Sequence, residues 1–600
     1  MRRAEVKIAT TMVKHNVPLA FADHLSPLLK DIFPDSEIAK AYSSAKTKTT
    51  CILNGALRPF YLEELIAEMK LGPFSLSIDG SNDTGREKMN QMTVHVFSNS
   101  GVEHKFLDMC TTSGQGAGTA EVIFNKMDSV LLKHGIPWAN CICLSVDNAS
   151  VNVGARNSLR TRLQQKNMRA YVSGCPCHIL HNTSSKAAVT GFEIEDLAVD
   201  IAYWFDKSTK RKAGLEEFCV FCDTAYKEVV SHVSTRWLSL EQAITRILQL
   251  YASLSSYFQS IHEQQARFKR LHKRFSNPIT EVYLLFFQSV IPLFTRFNML
   301  LQRDDPLIFL LYAEMRAFLK NLLSRFIQVQ SIVDAAAGDD ITKVKYKDPS
   351  CQMSDDKLYI GIVTRVKQRK LLDEGDIDSN ASFTFFKGIR SFYHCATEYA
   401  LSHLPFDDDV LLNAQFVNIQ RRVTADFTQV AYFVERFPIL LPFCDTKSQE
   451  QLFEQFTSYQ TMHDSAIPLH IWNDAKVTEK VSSDGEDHVY YRMDTLWAYL
   501  STVKDGVSGL PTFSLLSKVA KLVLTLPHSN ADEERVFSLI RQNKTDFRNS
   551  LALDGTLSSI LTVKMSCQEP CYKFEPTADV IKKSKKATWE YNQAHSSKDK

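Results

Sequence analysis

The sequence has almost no excess charge of either sign, because 70 lysines and arginines face 68 aspartates and glutamates and leave a net charge of +2. A chain this close to neutral has no overall positive field to draw the whole molecule onto DNA or an anionic membrane. Any nucleic-acid contact must therefore come from a local patch. Basic clusters at 269–274 and 582–586 are compatible with nuclear import, and such runs are also common on solvated surfaces.

The sequence also lacks the segments that send a chain to a membrane or out of the cell. Its N-terminus has two arginines but no apolar h-region and no small-residue cleavage site, so no secretory signal is predicted. No stretch approaches about 18 uncharged apolar residues, which predicts no membrane span and no membrane partner. The 13 cysteines are an odd number, and without a secretory signal they indicate reduced thiols in the cytosol or nucleus.

Hydrophobic patterns divide the chain into successive segments, without an internal repeat. Spacings of three and four predict a helical region over 1–72. Residues 73–190 carry three β-rich runs and then alternate helical and β-rich patterns, an order that predicts an α/β, RNase H-like mixed sheet. The β-rich runs are Phe74–Asp79, Gln91–Ser98, Val102–Thr111, Ile142–Asp147 and, more weakly, Ala170–Val172.

The strand signal largely stops after this core. Residues 191–510 are apolar at helical spacing and predict a large all-α insertion domain, with a polar break at 477–488. Residues 511–566 show further apolar helical patterns. Residues 567–600 are rich in lysine and serine and predict a disordered basic tail.

Three acids stand in contexts that suit metal chemistry. Asp79 and Asp147 each end an apolar strand, where the sheet holds an acid rigidly while its carboxylate reaches an open edge. Glu534 lies several hundred residues later on a predicted helix. Two-metal nuclease sites need such oxygen ligands, shared between divalent ions about 4 Å apart. Each acid alone also fits a turn or a helix start, and position does not select Glu534 over Asp532 and Glu533.

Four motifs in order resemble those of the hAT-superfamily transposases. The string PHSNADEERVFS, from Pro527 to Ser538, together with the following 547–561, resembles the C-terminal dimerisation region of that family. The segments 147–152, 175–182 and 235–239 resemble three further family motifs. The resemblance implies an RNase H-like core interrupted by the helical insertion. It also implies that the C-terminal helices of 511–566 complete the core and form a dimer surface.

The same resemblance assigns roles to individual residues. It implies that Asp79, Asp147 and Glu534 form a catalytic triad that binds Mg²⁺ or Mn²⁺. It places Trp237 against a base near the cut, where stacking contributes about 1–3 kcal/mol. Arg236, beside that tryptophan, and His178, from a Cys-x-x-His element, are the further nucleic-acid contacts that it implies.

Two zinc questions arise beside the triad. The family commonly carries an N-terminal BED-type zinc finger, but before residue 75 this chain offers only Cys51, His15 and His24, which cannot build one. The cysteines and histidines of 175–181, with the pair Cys219 and Cys222, contain enough ligands for tetrahedral zinc. Cysteine pairs with two intervening residues recur by chance in helices, so buried thiols are the favoured explanation and no structural zinc is expected.

Two functions follow from these patterns. One is an active transposase that cuts and joins DNA with Mg²⁺ or Mn²⁺, and the intact acids favour it. The other is a domesticated, transposon-derived protein that keeps the fold and dimerises, and the missing finger favours it. The sequence predicts a self-associating, DNA-associated nuclear protein, and it leaves catalysis open.

Overall fold

The computed structural model describes most of the chain, which forms two compact units. The described residues are 1–82, 87–113, 116, 118–190, 192–232, 237–338, 340–480, 487–545 and 551–596. The first unit comprises Met1–Cys175, Asp304–Phe309 and Asp409–Lys600. The second comprises Pro176–Arg303 and Leu310–Asp408.

The described chain contains the following strands and α-helices. The strands are β1 (Phe74–Asn82), β2 (Glu87–Phe97), β3 (Val102–Ser113), β4 (Cys141–Val146), β5 (Tyr171–Gly174), β6 (Lys476–Lys480) and β7 (Asp487–Tyr491). The helices are α1 (Arg2–Lys14), α2 (Ala22–Ile32), α3 (Glu37–Ala41), α4 (Lys46–Ile52), α5 (Arg58–Leu71), α6 (Ala120–His134), α7 (Ser150–Val153), α8 (Leu159–Lys166), α9 (Pro176–Val189), α10 (Ile194–Phe205), α11 (Thr209–Phe221), α12 (Trp237–Gln249), α13 (Tyr251–Ser260), α14 (Ala266–Phe275), α15 (Ile279–Leu301), α16 (Ile308–Leu323), α17 (Val329–Ala337), α18 (Ile362–Asp373), α19 (Ser379–His403), α20 (Asp409–Asn413), α21 (Phe427–Arg436), α22 (Thr446–Thr461), α23 (Leu469–Ala475), α24 (Met493–Leu500), α25 (Leu516–Leu524), α26 (Ala531–Asn543), α27 (Ser558–Ser566) and α28 (Ala578–Ser596).

A mixed five-stranded sheet forms the centre of the first unit, in the order β3-β2-β1-β4-β5. Strands β1, β2 and β3 pair antiparallel, whereas β4 pairs parallel with both β1 and β5. Parallel neighbours need a crossover, and α6 lies between β3 and β4 while α7 and α8 lie between β4 and β5. The predicted α/β architecture with a mixed sheet is therefore confirmed.

The two faces of the sheet differ sharply in polarity. The apolar positions of β1 pack with α5, α6 and α8 in one core. Because side chains alternate along a strand, Ser75, Ser77 and Asp79 lie on the opposite face. Helices α25 and α26 contact the sheet at β1 and β2. The cross-strand neighbours of Ser75, Ser77 and Asp79 on β2 are also polar, namely His95, Thr93 and Gln91.

The C-terminal helices are built into the first unit. In α26, Val536 and Ile540 share a buried cluster with Phe106 of β3 and with Leu557 and Leu561. Helix α27 also contacts α5 and α1. The last helices therefore complete the core around the sheet.

The segment predicted to be a disordered tail differs from that expectation. Residues 578–596 form α28, and its Val580 is fully buried in a cluster with residues of α1 and α4. Lys583 of the basic run is paired with Glu63 and Asp579. The lysine-rich composition hides the few apolar positions through which the helix packs.

The predicted insertion over 191–510 also differs in extent, because α20 to α24 belong to the unit that contains the sheet. Asp494 of α24 explains part of this attachment. Its fully buried carboxylate accepts a hydrogen bond from Val102 N at 3.0 Å and pairs with Arg492 at 2.7 Å. Gly101 has φ +144°, and a Cβ there would lie 2.5 Å from Asp494 Oδ2. Strands β6 and β7 pair antiparallel at the two edges of the predicted polar break.

The second unit, as far as it is described, is formed by helices, in line with the helical pattern of the sequence. Its helix α15 is apolar enough to span a membrane by length and composition, with a mean hydropathy of 1.5 over 18 residues. The helix contains Glu281 and Arg296, so it is not an uncharged apolar run of about 18 residues, and that expectation from the sequence is unaffected. Buried residues make up 56% of that window, as in a core helix.

Candidate functional site

The polar face of the sheet lies beneath the first turn of α26. Gln91 Nε2 donates to the backbone oxygen of Glu533 at 2.6 Å, and the Thr93 hydroxyl donates to the Glu533 carboxylate. Ser145 of β4 donates to Asn530, directly before the helix, at 3.4 Å. These bonds bring the helix start to the level of β1 at which Asp79 lies, because Gln91 is the cross-strand neighbour of Asp79.

Asp79 and Asp147 belong to neighbouring parallel strands, but β1 continues past Asp79 to Asn82, whereas Asp147 directly follows β4. Asp79 is near the end of β1, half-buried, and its Oδ1 accepts from Gly80 N at 2.8 Å. Asp147 directly follows β4 and accepts from Ala149 N at 2.8 Å and Asn152 Nδ2 at 2.6 Å. Both carboxylates thus have local turn bonds, while the adjacent ends of β1 and β4 bring them to one edge of the sheet.

Glu534 lies in the first turn of α26 and is half-buried. Its neighbour Glu533 points into the sheet and is fully buried. Strands β1 and β4 and the start of α26 thus bring the three residues of the predicted triad into one region. That Asp79, Asp147 and Glu534 share metal ions stays a prediction. Their carboxylate oxygens are the hard donors that Mg²⁺ and Mn²⁺ prefer, so the residues present fit such ions.

A second cluster of metal-binding side chains lies a few residues from the triad. The ligand atoms of His95, His104 and Asp532 all lie within 4.8 Å of one another. Within the described ranges, this is the only such group of three or more histidine, cysteine or acidic side chains. His95 Nε2 is 2.8 Å from Asp532 Oδ2, and His104 Nε2 is 3.6 Å from Glu533 Oε1. The two imidazole rings are stacked with centroids 4.6 Å apart.

Burial and the two carboxylates shift the pKa values of this cluster in different directions. Burial lowers the pKa of His95, although Asp532 counteracts it. Burial also acts to lower the pKa of His104, but Asp532 and Glu533 outweigh it and raise that pKa. Burial acts to raise the pKa of Asp532, yet His104 and His95 bring it far below its usual value. The cluster therefore favours an ionised carboxylate beside the imidazoles.

Several buried polar atoms on this face have no hydrogen-bond partner among the described residues. They are Ser75 Oγ, Ser77 Oγ, Gln91 Oε1, His95 Nδ1, Asn530 Nδ2 and Glu533 Oε2. Buried polar groups in native proteins are almost always satisfied, so such a concentration indicates a place for water or an ion. Two of these atoms, Asn530 Nδ2 and Glu533 Oε2, lie at the start of α26, which also carries Glu534.

The predicted nucleic-acid contacts belong to less completely described segments. Arg236 lies outside the described residues, and the structure describes Trp237 only as the first residue of α12, without its side chain. His178 is half-buried in α9 of the second unit. These three roles stay predictions.

His95, His104 and Asp532 are the residues that sequence reasoning missed. Part of the signal was present, because a hairpin that pairs Phe97 with Val102 places His95 opposite His104. The third residue comes from the other end of the chain. Only the folded structure shows that Asp532 meets the hairpin.

The resemblance implies that the helices of 511–566 complete the core and form a dimer surface. Of the apolar side chains on which this depends, Leu516, Val519, Leu557, Ile560 and Leu561 are buried within the chain itself, and Leu515 is half-buried. These side chains therefore give no argument for a dimer surface. Any surface for self-association must use other residues.

The comparison with protein families finds one match in this same region. Residues 510–564 match the model of the hAT family C-terminal dimerisation region. The match covers α25, α26 and most of α27, and so includes Asp532, Glu533 and Glu534.

Proposed function

Because the chain is a hAT transposase-like protein with that family's dimerisation region, we propose that it acts in the nucleus as a self-associating protein that contacts DNA. The match at 510–564 is the observation that carries self-association. A domesticated protein of this kind keeps the fold and the association of a transposase and uses them to hold DNA. Its self-association gives two DNA contacts per assembly, which strengthens binding through effective concentration.

The strand order supports an RNase H-like core as part of this proposal. Three antiparallel strands are followed by two parallel ones, and the acids of the proposed triad lie on β1, after β4 and on α26. Asp79, Asp147 and Glu534 would hold Mg²⁺ or Mn²⁺ there. Ions at such a site supply positive charge that binds a phosphodiester backbone.

Helix α14 of the second unit offers the local basic patch that a nearly neutral chain requires. Phe268, Leu271 and Phe275 form its buried side. Lys269 and Lys273 are exposed, four residues apart, and no ion pair involves either of them in the described part of the chain. Arg267, Arg270 and Arg274 are instead paired with Asp200 or Glu193. The two unpaired lysines are therefore available to phosphates.

Charge reversal on α14 tests the DNA contact. We expect Lys269→Glu with Lys273→Glu to weaken binding of a labelled DNA duplex by about tenfold or more at low salt, and to reduce the salt slope by about 2. Fluorescence anisotropy at several salt concentrations measures both. The matched control is Lys582→Glu with Lys585→Glu, two exposed lysines of α28 that carry the same charge change. If both pairs weaken binding equally, α14 is not the contact.

The nuclear location is tested separately, in cells. A fluorescent fusion of the full chain is expected in the nucleus of cultured cells. A uniformly cytoplasmic signal from the folded wild-type fusion would contradict this part of the proposal.

A further inference from the structure

We propose that His95, His104 and Asp532 bind one transition-metal ion of the zinc type, which fastens the start of α26 to strands β2 and β3. This site is distinct in its ligands from the proposed acid triad. Two imidazoles and a carboxylate suit zinc and its neighbours, whereas Mg²⁺ prefers oxygen ligands alone.

The three ligand atoms are close enough to share one ion, because they all lie within 4.8 Å of one another. Zinc binds imidazole nitrogen and carboxylate oxygen at about 2.0–2.2 Å in tetrahedral geometry, so two ligand atoms lie about 3.4 Å apart. The pair His95 Nε2 to Asp532 Oδ2 is at 2.8 Å, and His104 Nε2 to Glu533 Oε1 is at 3.6 Å. These separations lie on either side of the ideal value. Glu533 is thereby placed next to the three ligands as a candidate fourth.

The charges of the cluster also suit a cation. Asp532 and Glu533 are adjacent acids beside two imidazoles, and Glu533 is fully buried with Oε2 lacking a hydrogen-bond partner in the described structure. The positive end of the α26 dipole opposes a bound cation there, but two carboxylates outweigh a partial charge of about half a unit. A divalent ion would neutralise a buried carboxylate that the protein leaves incompletely satisfied.

The position of the site gives the ion a structural consequence. His95 and His104 belong to the β2–β3 hairpin, whereas Asp532 comes from the C-terminal region, more than 400 residues later. An ion that bridges them would connect two parts of the first unit that are far apart in the sequence. It also fixes the helix turn that carries Glu534.

Cobalt spectroscopy on the full chain tests this site. Protein stripped of transition metals is titrated in excess Mg²⁺, which competes for the oxygen ligands of the triad, first with Co²⁺ and then with Zn²⁺. We expect visible absorption bands of a low-symmetry Co²⁺ site that saturate at one ion per chain, that lack the strong near-ultraviolet bands of thiolate ligands, and that Zn²⁺ abolishes. The 13 free cysteines make the thiolate bands an important control. A spectrum with thiolate bands, or one without saturable binding, overturns the proposal.

Conservative variants locate the ion. His104→Gln keeps a polar side chain beside Thr93 and is expected to weaken Co²⁺ binding by at least about tenfold. His470→Gln changes an exposed histidine of α23 and should bind like wild type. Equal binding by His104→Gln and wild type overturns the proposal, whatever the stability of the variant.

Thermal unfolding gives a readout that needs no variant. Saturating Zn²⁺ is expected to raise the unfolding temperature of the metal-free wild type by about 5 °C. His470→Gln should show the same shift and His104→Gln much less. An unfolding temperature of wild type that is the same with Zn²⁺ and with a chelator contradicts a site that holds α26 to the sheet.

Discussion

Asp147 shows how one side chain supports both a local and a functional explanation. Its Oδ1 accepts hydrogen bonds from Ala149 N and from Asn152, as in an ordinary turn before a helix. A carboxylate has a second oxygen with lone pairs of its own, so these bonds leave room for a metal ion. The turn role and the metal role are therefore compatible, and substitution separates them.

We expect Asp147→Asn to weaken Mn²⁺ binding by about tenfold or more, because the amide keeps the turn bonds but loses the charge that holds the ion. Electron paramagnetic resonance of unbound Mn²⁺ measures the affinity. The control is Asp505→Asn, because Asp505 also accepts from the backbone two residues ahead, in an exposed turn. Equal Mn²⁺ affinity in both variants would leave Asp147 as a turn residue only.

At the scale of single residues, the sequence predicts the environment of a side chain where residues close to it in the chain determine that environment. Alternation in Phe74–Asp79 is enough to place Asp79 on the polar face of β1, opposite an apolar face, but it does not show that the strand continues to Asn82. It does not show which of Asp532, Glu533 and Glu534 faces the sheet, because three consecutive helical residues point in three directions. The burial of Glu533 comes from a tertiary contact with β2.

Helices α6 and α8 illustrate stabilisation at the scale of elements. Asp128 of α6 accepts from Trp138 Nε1 at 2.7 Å and from Lys166 of α8 at 2.9 Å. Burial acts to raise the pKa of Asp128, but the bonds from Lys166 and Trp138 outweigh it, and the pKa lies below its usual value. The ionised carboxylate therefore ties two helices on the apolar side of the sheet.

We expect Asp128→Asn to lower the free energy of unfolding by about 0.5–1 kcal/mol at pH 7, a small effect because Lys166 is 41% exposed. A depressed pKa stabilises the fold above the unfolded value of about 3.9, and the effect is lost as the pH falls through the folded-state pKa. Urea unfolding at neutral and acid pH measures the difference between wild type and variant. A difference that does not shrink towards acid pH would contradict this assignment.

The sequence predicts elements where one physical pattern dominates. Strands β1 to β5 follow apolar, β-rich runs, and the helices of the second unit follow spacings of three and four. Helix α28 escapes prediction because its few apolar positions lie among lysines and polar residues, and β6 and β7 because they are only five residues long and flank a polar segment. The attachment of α20 to α24 to the first unit depends on contacts such as that of Asp494 with Val102, which join residues far apart in the chain.

At the scale of the whole molecule, the C-terminal region has two tasks. It completes the core of the first unit, since its apolar side chains pack within the chain, and it matches a dimerisation region. Association through this region must therefore use its remaining polar and partly exposed surface. Non-obligate interfaces are about as polar as the rest of a protein surface, so burial of the core residues does not oppose a dimer.

Light scattering coupled to size-exclusion chromatography tests self-association most directly. The purified full chain, run over a range of micromolar concentrations, is expected to elute with twice the mass of one chain or a higher multiple. A reversible dimer would show a mass that falls towards that of one chain on dilution. The mass of a single chain at every concentration would contradict the central claim that this hAT transposase-like protein associates with itself.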